Sequence, residues 1–248
     1  MSIFRIGTSG YSYKHWSDGV FYPSGLSQQR WLDFYATHFD TVELNVTFYR
    51  QPTPYTFKRW RDRTPEGFAF TVKGSRYITH ILRLNDPETP LARFFDSVKL
   101  LGEKLKIVLW QLPPGFKLDM GRLDRFCKLI TSISPEGVGN CFEFRNKSWF
   151  CDEVYALLEH YGCHLCVADS PRYPSEEKVI SNIGYLRLHG SETMYGYNYS
   201  PYELSSWAKR ISSWKASEVY IYFNNDFMGY AVKNAMTLKE ILRKDFAE

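Results

Sequence analysis

No stretch of the chain approaches the ~18 consecutive apolar residues that a membrane-spanning helix needs, so no membrane insertion is expected. The opening run Met1-Ser2-Ile3-Phe4-Arg5-Ile6-Gly7 lacks the apolar centre of a secretory leader and passes straight into a strand-like segment. Cysteine is sparse and odd in number, five in 248 residues. That count argues against a disulfide-stapled scaffold and points to a reducing cytoplasm. Excess charge is small as well: +4 is too little for strong nonspecific nucleic-acid binding by the whole chain, although a local basic patch can hide in it. Linkers rich in Gly, Pro or Ser and low-complexity stretches are missing, so one domain spanning residues 1–248 is expected. Its oligomeric state is not legible.

Aromatic side chains, by contrast, are abundant at 17 %. They fill cores and line pockets alike. Short runs of β-branched, aromatic and apolar residues recur along the chain, as in strands buried on both faces. Eight are legible: Ile3 to Gly7, Thr41 to Asn45, Phe68 to Lys73, Lys106 to Leu112, Asn140 to Arg145, Cys163 to Asp169, Gly184 to Gly190 and Glu218 to Asp226. Helical spacing appears between them, as in Trp31, Phe34, Tyr35 and Phe39, and again in Ala231, Ala235, Leu238, Ile241 and Leu242. Thr53-Pro54, Thr89-Pro90 and Ser200-Pro201 read as cap residues followed by proline at the first helical position. Ser200 and Glu203 also have capping-box spacing. Pro171 to Asn182 is the weakest helical segment and reads mostly as loop.

Eight alternations in 248 residues give about 31 residues per unit, the size of one βα unit. An open doubly wound sheet also alternates, but it usually carries a glycine-rich phosphate fingerprint after its first strand. Here the run Gly7-Thr8-Ser9-Gly10-Tyr11 lacks the third glycine. The expected fold is therefore an α/β protein, a single (β/α)8 TIM barrel with parallel strands.

Polar residues collect where the strands end. Period-two alternation puts Glu43 with Asn45, Glu143 with Arg145, Arg187 with His189, and Asn224 with Asp226 on shared faces. In a barrel such groups converge at the C-terminal mouth, where barrels carry their sites. The strings Gly7-Thr8-Ser9-Gly10-Tyr11-Ser12-Tyr13, Val42 through Arg50, Gln111-Leu112-Pro113-Pro114, Phe142 through Trp149, Leu186 through Gly190 and Tyr222 through Asp226 resemble the DUF72 (YecE-like) family. The resemblance runs over nearly the whole chain with its motifs in order. It implies a TIM barrel and no assigned activity.

Few residues suit a many-metal site. His80 and His189 are the histidines placed near the strand ends, and Lys73, Arg76, Arg145 and Arg187 sit among the carboxylates Glu43, Glu143, Asp169 and Asp226. No cofactor is expected; a single divalent ion stays open. The cations point instead to an anionic ligand, a small phosphate-bearing molecule or nucleic acid. Thr8 and Ser9 sit between glycines that allow close approach, and free amides near Gly229 open the last helix. Tyr11, Tyr13, Trp16, Tyr49 and Trp149 are candidates to stack on a base or sugar. Asn45, His80, Gln111 and Asn224 complete the set of candidate ligand contacts. Glu143 and His189 are the leading acid–base pair, with Glu43 as a further carboxylate and Asp169 and Asp226 to orient them or hold a metal. The favoured function is a hydrolase-like enzyme acting on a phosphate-containing substrate. A non-catalytic binding protein and a sugar-active isomerase or glycosidase using Glu43 and Glu143 are the alternatives. Cys163-His164-Leu165-Cys166 lies within a strand, so its cysteines face apart, and Arg59, Arg61 and Arg63 read as a solvated face.

Overall fold

The computed structural model describes residues 2–245 and bears out the barrel. Eight strands, β1 (Ile3–Thr8), β2 (Thr41–Leu44), β3 (Ala69–Lys73), β4 (Leu105–Gln111), β5 (Gly139–Glu143), β6 (His164–Asp169), β7 (Ile183–Leu188) and β8 (Glu218–Phe223), pair in parallel in one sheet ordered β1-β8-β7-β6-β5-β4-β3-β2. Five strands, β2, β4, β5, β7 and β8, end earlier than the alternation suggested. Asn45, Arg145, His189, Asn224 and Asp226 lie just past them, because the chain turns there into the mouth loops.

Helices α1 (Trp31–Ala36), α2 (Val46–Tyr49), α3 (Pro54–Asp62), α4 (Glu88–Val98), α5 (Met120–Ile133), α6 (Asp152–His160), α7 (Pro201–Ser212) and α8 (Tyr230–Asp245) lie between and after the strands. Thr53 caps α3 by accepting from the Thr56 amide, and the Ser200–Glu203 capping box opens α7. The expected start at Thr89-Pro90 is displaced. Pro87 occupies the cap position of α4, and Pro90 sits in the first turn, where a missing N–H leaves no bond unmade. No helix forms between β6 and β7 among the described residues. Pro171 and Pro174 interrupt that segment, and the Ser175 hydroxyl instead accepts from the Ala168 amide. No helix among the described residues is long and apolar enough to cross a membrane.

Ala69, Ile107, Leu109, Cys141, Cys166, Tyr185, Tyr220 and Tyr222 fill the barrel interior, separate from the larger apolar layer between sheet and helices. The ladder is thin at two places. β5 and β6 share two paired positions, and among the described residues β1 meets β2 only through the Ser9–Glu43 bridge, where the Gly10 amide donates to the Glu43 carbonyl at 2.8 Å. At that second seam Tyr35 of α1 supplies a missing link. Its hydroxyl accepts from the Thr8 amide at 2.9 Å and donates to the Thr41 carbonyl at 3.0 Å. Gly7 makes room for this close approach, since a Cβ there would lie 2.2 Å from the Thr41 oxygen. Tyr35→Phe leaves both backbone groups buried without a partner, so a loss of about 1–3 kcal/mol in urea unfolding is expected. An unchanged midpoint would show that the seam relaxes without the hydroxyl.

Candidate functional site

Next to the mouth the inward-facing positions are polar at the ends of six strands, Ser9, Glu43, Lys73, Gln111, Glu143 and Arg187, with His189 and Asn224 above β7 and β8, while β6 presents Ala168. Arg187 is the centre of this layer and is fully buried. Its Nη2 and Nε donate to Glu43 at 2.7 and 3.1 Å, and its Nη1 donates to Glu143. Glu43 also accepts from the Ser9 hydroxyl at 2.8 Å and the Tyr185 hydroxyl at 2.6 Å. Glu143 accepts from Arg145 Nε at 2.7 Å and faces His189 Nε2 at 3.7 Å. These hydrogen bonds offset the cost of burying the ion pairs, which survive only when their remaining donors and acceptors are largely met.

The electrostatics follow from that pairing. Burial pushes both carboxyls up. For Glu43, the Arg187 charge and the hydrogen bonds from Tyr185, Arg187 and Ser9 outweigh it and hold the group below the ordinary carboxylate range. Arg145, Arg187 and His189 hold Glu143 well below that range. His189 is buried and lies beside Arg187, which brings its pKa down to about 4 despite Glu143, so the ring is neutral at pH 7. Asn224 Nδ2 lies 2.9 Å from Nδ1, and with that amide nitrogen as donor the ring proton is assigned to Nε2, towards Glu143.

Two carboxylates and two guanidiniums cancel, which leaves Lys73 as the surplus cation. Its side chain is 8 % exposed, and Nζ lies 4.2 Å from the centre of the Phe48 ring. Among the described residues Nζ has neither a hydrogen-bond partner nor a carboxylate within 4.0 Å. Burial, reinforced by Arg187 and Arg145 against the pull of Glu143 and Glu43, lowers its pKa to about 7. Among the described residues Arg145 uses only Nε for a hydrogen bond. Its guanidinium stacks 4.4 Å from the Tyr173 ring centre, and both terminal nitrogens remain free to bind.

Other expected contacts are distributed differently. His80 stands beside Gln111 (3.4 Å) and against Phe48, and burial next to Lys73 lowers it to about 4. Arg76 and Tyr49 are exposed at the rim. Asn45 opens α2, and its Oδ1 is buried without a hydrogen-bond partner among the described residues. Thr8 is buried, its hydroxyl bonded to the Gly10 carbonyl and Tyr35 rather than turned to the mouth. Asp169 sits away from the charged layer, because β6 turns His164, Cys166 and Ala168 inward and Asp169 outward; it accepts from Ser191 (2.8 Å) and Tyr199 (2.7 Å). Asp226 lies at the rim, 3.5 Å from His15 Nε2, and burial raises its pKa.

The expected aromatic rim loses three members. Trp16 and Trp149 are fully buried. The Trp16 indole donates to the Asp226 carbonyl, and Trp149 stacks on Phe144 at 4.9 Å while donating to the Phe116 carbonyl. Tyr11 accepts from the Trp60 indole and lines a cavity of about 290 Å³ with Gln28, Arg59 and Arg63, between α1 and α3 and outside the mouth. Gly229 is buried in a turn against Val20, so the start of α8 is packed. Arg61 pairs with Asp62 and Arg63 with Asp33, in keeping with a solvated face. Among the described residues no three His, Cys, Asp or Glu side chains are grouped to hold a metal. Tyr185, Phe48 and Tyr173 are site residues that the strand-end reading missed. Tyr185 was within reach of it, two residues before Arg187 on the same face; Tyr173 lies in a loop without a pattern.

A family model described as "Protein of unknown function DUF72" matches residues 5–248. The UPF0759 protein YunF of Bacillus subtilis (strain 168) is 28 % identical, with 98 % of this chain and 95 % of YunF covered. The UPF0759 protein YecE of Escherichia coli (strain K12) is 24 % identical over 88 % of this chain and 87 % of its own. The crystal structure of a DUF72 family protein from Thermotoga maritima MSB8 is 31 % identical and superposes with a TM-score of 0.85, covering 97 % of this chain and 99 % of that one. The chain belongs to the DUF72 family.

Proposed function

We propose that the barrel mouth binds a phosphate-bearing small molecule or nucleotide and that the protein acts on it as an enzyme, with Lys73 as the proton-transferring group. The observation that carries this reading is the charge balance. Glu43 and Glu143 are saturated by Arg187 and Arg145, so the Lys73 ammonium and the free Arg145 fork are left to meet an anion. Lys73, with its pKa near 7, exchanges a proton readily at neutral pH.

Hydrolysis by a Glu143–His189 pair has less support. Glu143 is a weak base when held by two guanidiniums, and His189 is enclosed between Asn224, Arg187 and Glu143. A glycosidase pair made of Glu43 and Glu143 needs one protonated carboxyl, and Arg187 keeps both ionised. A binding protein without turnover remains the second reading, since the same saturation that favours Lys73 leaves few other groups to move protons.

Sulfate, whose charge is constant across neutral pH, tests the anion site by calorimetry. Because Lys73 must be protonated to attract it, affinity is expected to hold below pH 7 and to fall about tenfold between roughly pH 7.5 and 8.5. Lys73→Met is expected to abolish the pH dependence and most of the binding. Sulfate binding that is absent at low ionic strength, or independent of pH and of Lys73, would remove the anion site.

A further inference from the structure

A cation that the fold buries and leaves without a counter-ion is an expensive feature to retain for charge alone. An arginine would hold its charge at any pH and offer more hydrogen bonds to a phosphate. Lysine at this position has one property that arginine lacks: once its proton is gone, Nζ has a lone pair. Its surroundings favour that form. The Phe48 ring face at 4.2 Å attracts the ammonium, but burial away from any carboxylate outweighs that attraction. Arg187 and Arg145 act on the ammonium as like charges, Glu143 and Glu43 oppose them while spent on those same guanidiniums, and His80 beside it is neutral. A desolvated amine next to fixed cations is the arrangement that makes lysine a nucleophile.

Resting on the anion-site reading above, we propose that Lys73 Nζ forms an imine with a carbonyl-bearing anionic ligand whose phosphate or carboxylate is held by the free terminal nitrogens of Arg145. The neutral amine attacks the carbonyl carbon, and a C–N bond forms as the C=O π pair moves onto oxygen. One N–H proton passes to that oxygen, giving a carbinolamine. The remaining N–H proton leaves with the hydroxyl as water while C=N forms, so one amine and one carbonyl give one imine and one water, with no redox change. Imine formation offers the ligand's adjacent carbon an electron sink, so the class of reaction it serves is proton transfer or carbon–carbon cleavage next to a ketone or aldehyde.

The test is reductive trapping. The full chain is incubated at about pH 7.5 with dihydroxyacetone phosphate, reduced with sodium borohydride and mapped by peptide mass. Lys73 is expected to carry the adduct at about tenfold or greater excess over any exposed lysine, because ordinary amines are almost fully protonated at that pH. Dihydroxyacetone, which lacks the phosphate, is expected to label it about tenfold less, and sulfate should compete. Lys73→Met and Lys73→Arg should both lose the adduct, while Lys73→Arg keeps sulfate affinity. Sulfate binding without an adduct at Lys73 overturns the imine and leaves the anion site standing. Loss of both overturns both. Adducts spread among surface lysines in proportion to exposure also overturn the imine.

Discussion

Arg187→Met is expected to destabilise the protein by about 3–5 kcal/mol, a large share of the roughly 5–15 kcal/mol by which a folded domain is stable. The guanidinium has no exposed surface and satisfies two carboxylates at once, Glu43 from β2 and Glu143 from β5. Methionine fills similar volume, so the loss is electrostatic: Glu43 keeps only the Ser9 and Tyr185 hydroxyls, and Glu143 keeps Arg145 and the neutral His189. Urea unfolding at pH 7 measures it. A loss below about 1 kcal/mol would mean that the two carboxyls become protonated or hydrated in the variant and that the network is not what holds this end of the barrel.

Lys73→Met is expected to act in the opposite direction, stabilising the fold by about 1–4 kcal/mol at pH 7, because it removes a buried cation that lacks a counter-ion. The pH dependence of the wild type carries the same information. Lys73 titrates near 7 when folded, against 10.5 for an ordinary lysine. Between those values the unfolded chain binds a proton that the folded chain does not, so stability rises with pH across this window. The gain is on the order of 3–5 kcal/mol over the full window, roughly half of it by pH 9. The Lys73→Met variant should lack this rise. Unfolding midpoints that track each other between pH 7 and 9 in the two proteins would place the Lys73 amine in ordinary solvent. If removing Lys73 both strengthens the fold and empties the proposed anion site, the residue belongs to the trade-off between stability and activity.

Much of this was legible in the sequence, for identifiable reasons. Period-two alternation is a rigid geometric rule inside a strand, so it found Glu43, Glu143 and Arg187 on the barrel's inner side, while Lys73 was legible as the cation that ends its strand. Past the last ladder bond the rule lapses, which is why Asn45 and Asp226 landed at the rim rather than in the layer. Asp169 stands one position out of phase with Cys166 and Ala168, and its outward direction was readable from that phase. The tryptophans were not readable. An indole in a loop looks the same in sequence whether it meets a ligand or, like Trp16 and Trp149, closes a loop onto the barrel. Neither was the pairing visible: that Arg187 binds both glutamates and leaves Lys73 alone depends on distances across the barrel between residues up to 144 positions apart.

The thin ladders between β1 and β2 and between β5 and β6 divide the sheet into two four-stranded arcs, β2 to β5 and β6 through β8 to β1. Glu43 and Glu143 stand on the two outermost strands of the first arc, and Arg187 reaches both from the second. The charged layer therefore behaves as a clasp fastening two half-barrels, released only when both halves part. Any fluctuation that separates the arcs would bare three ionised groups together, so opening should be all-or-none, and ligand held at the mouth would draw the clasp tighter.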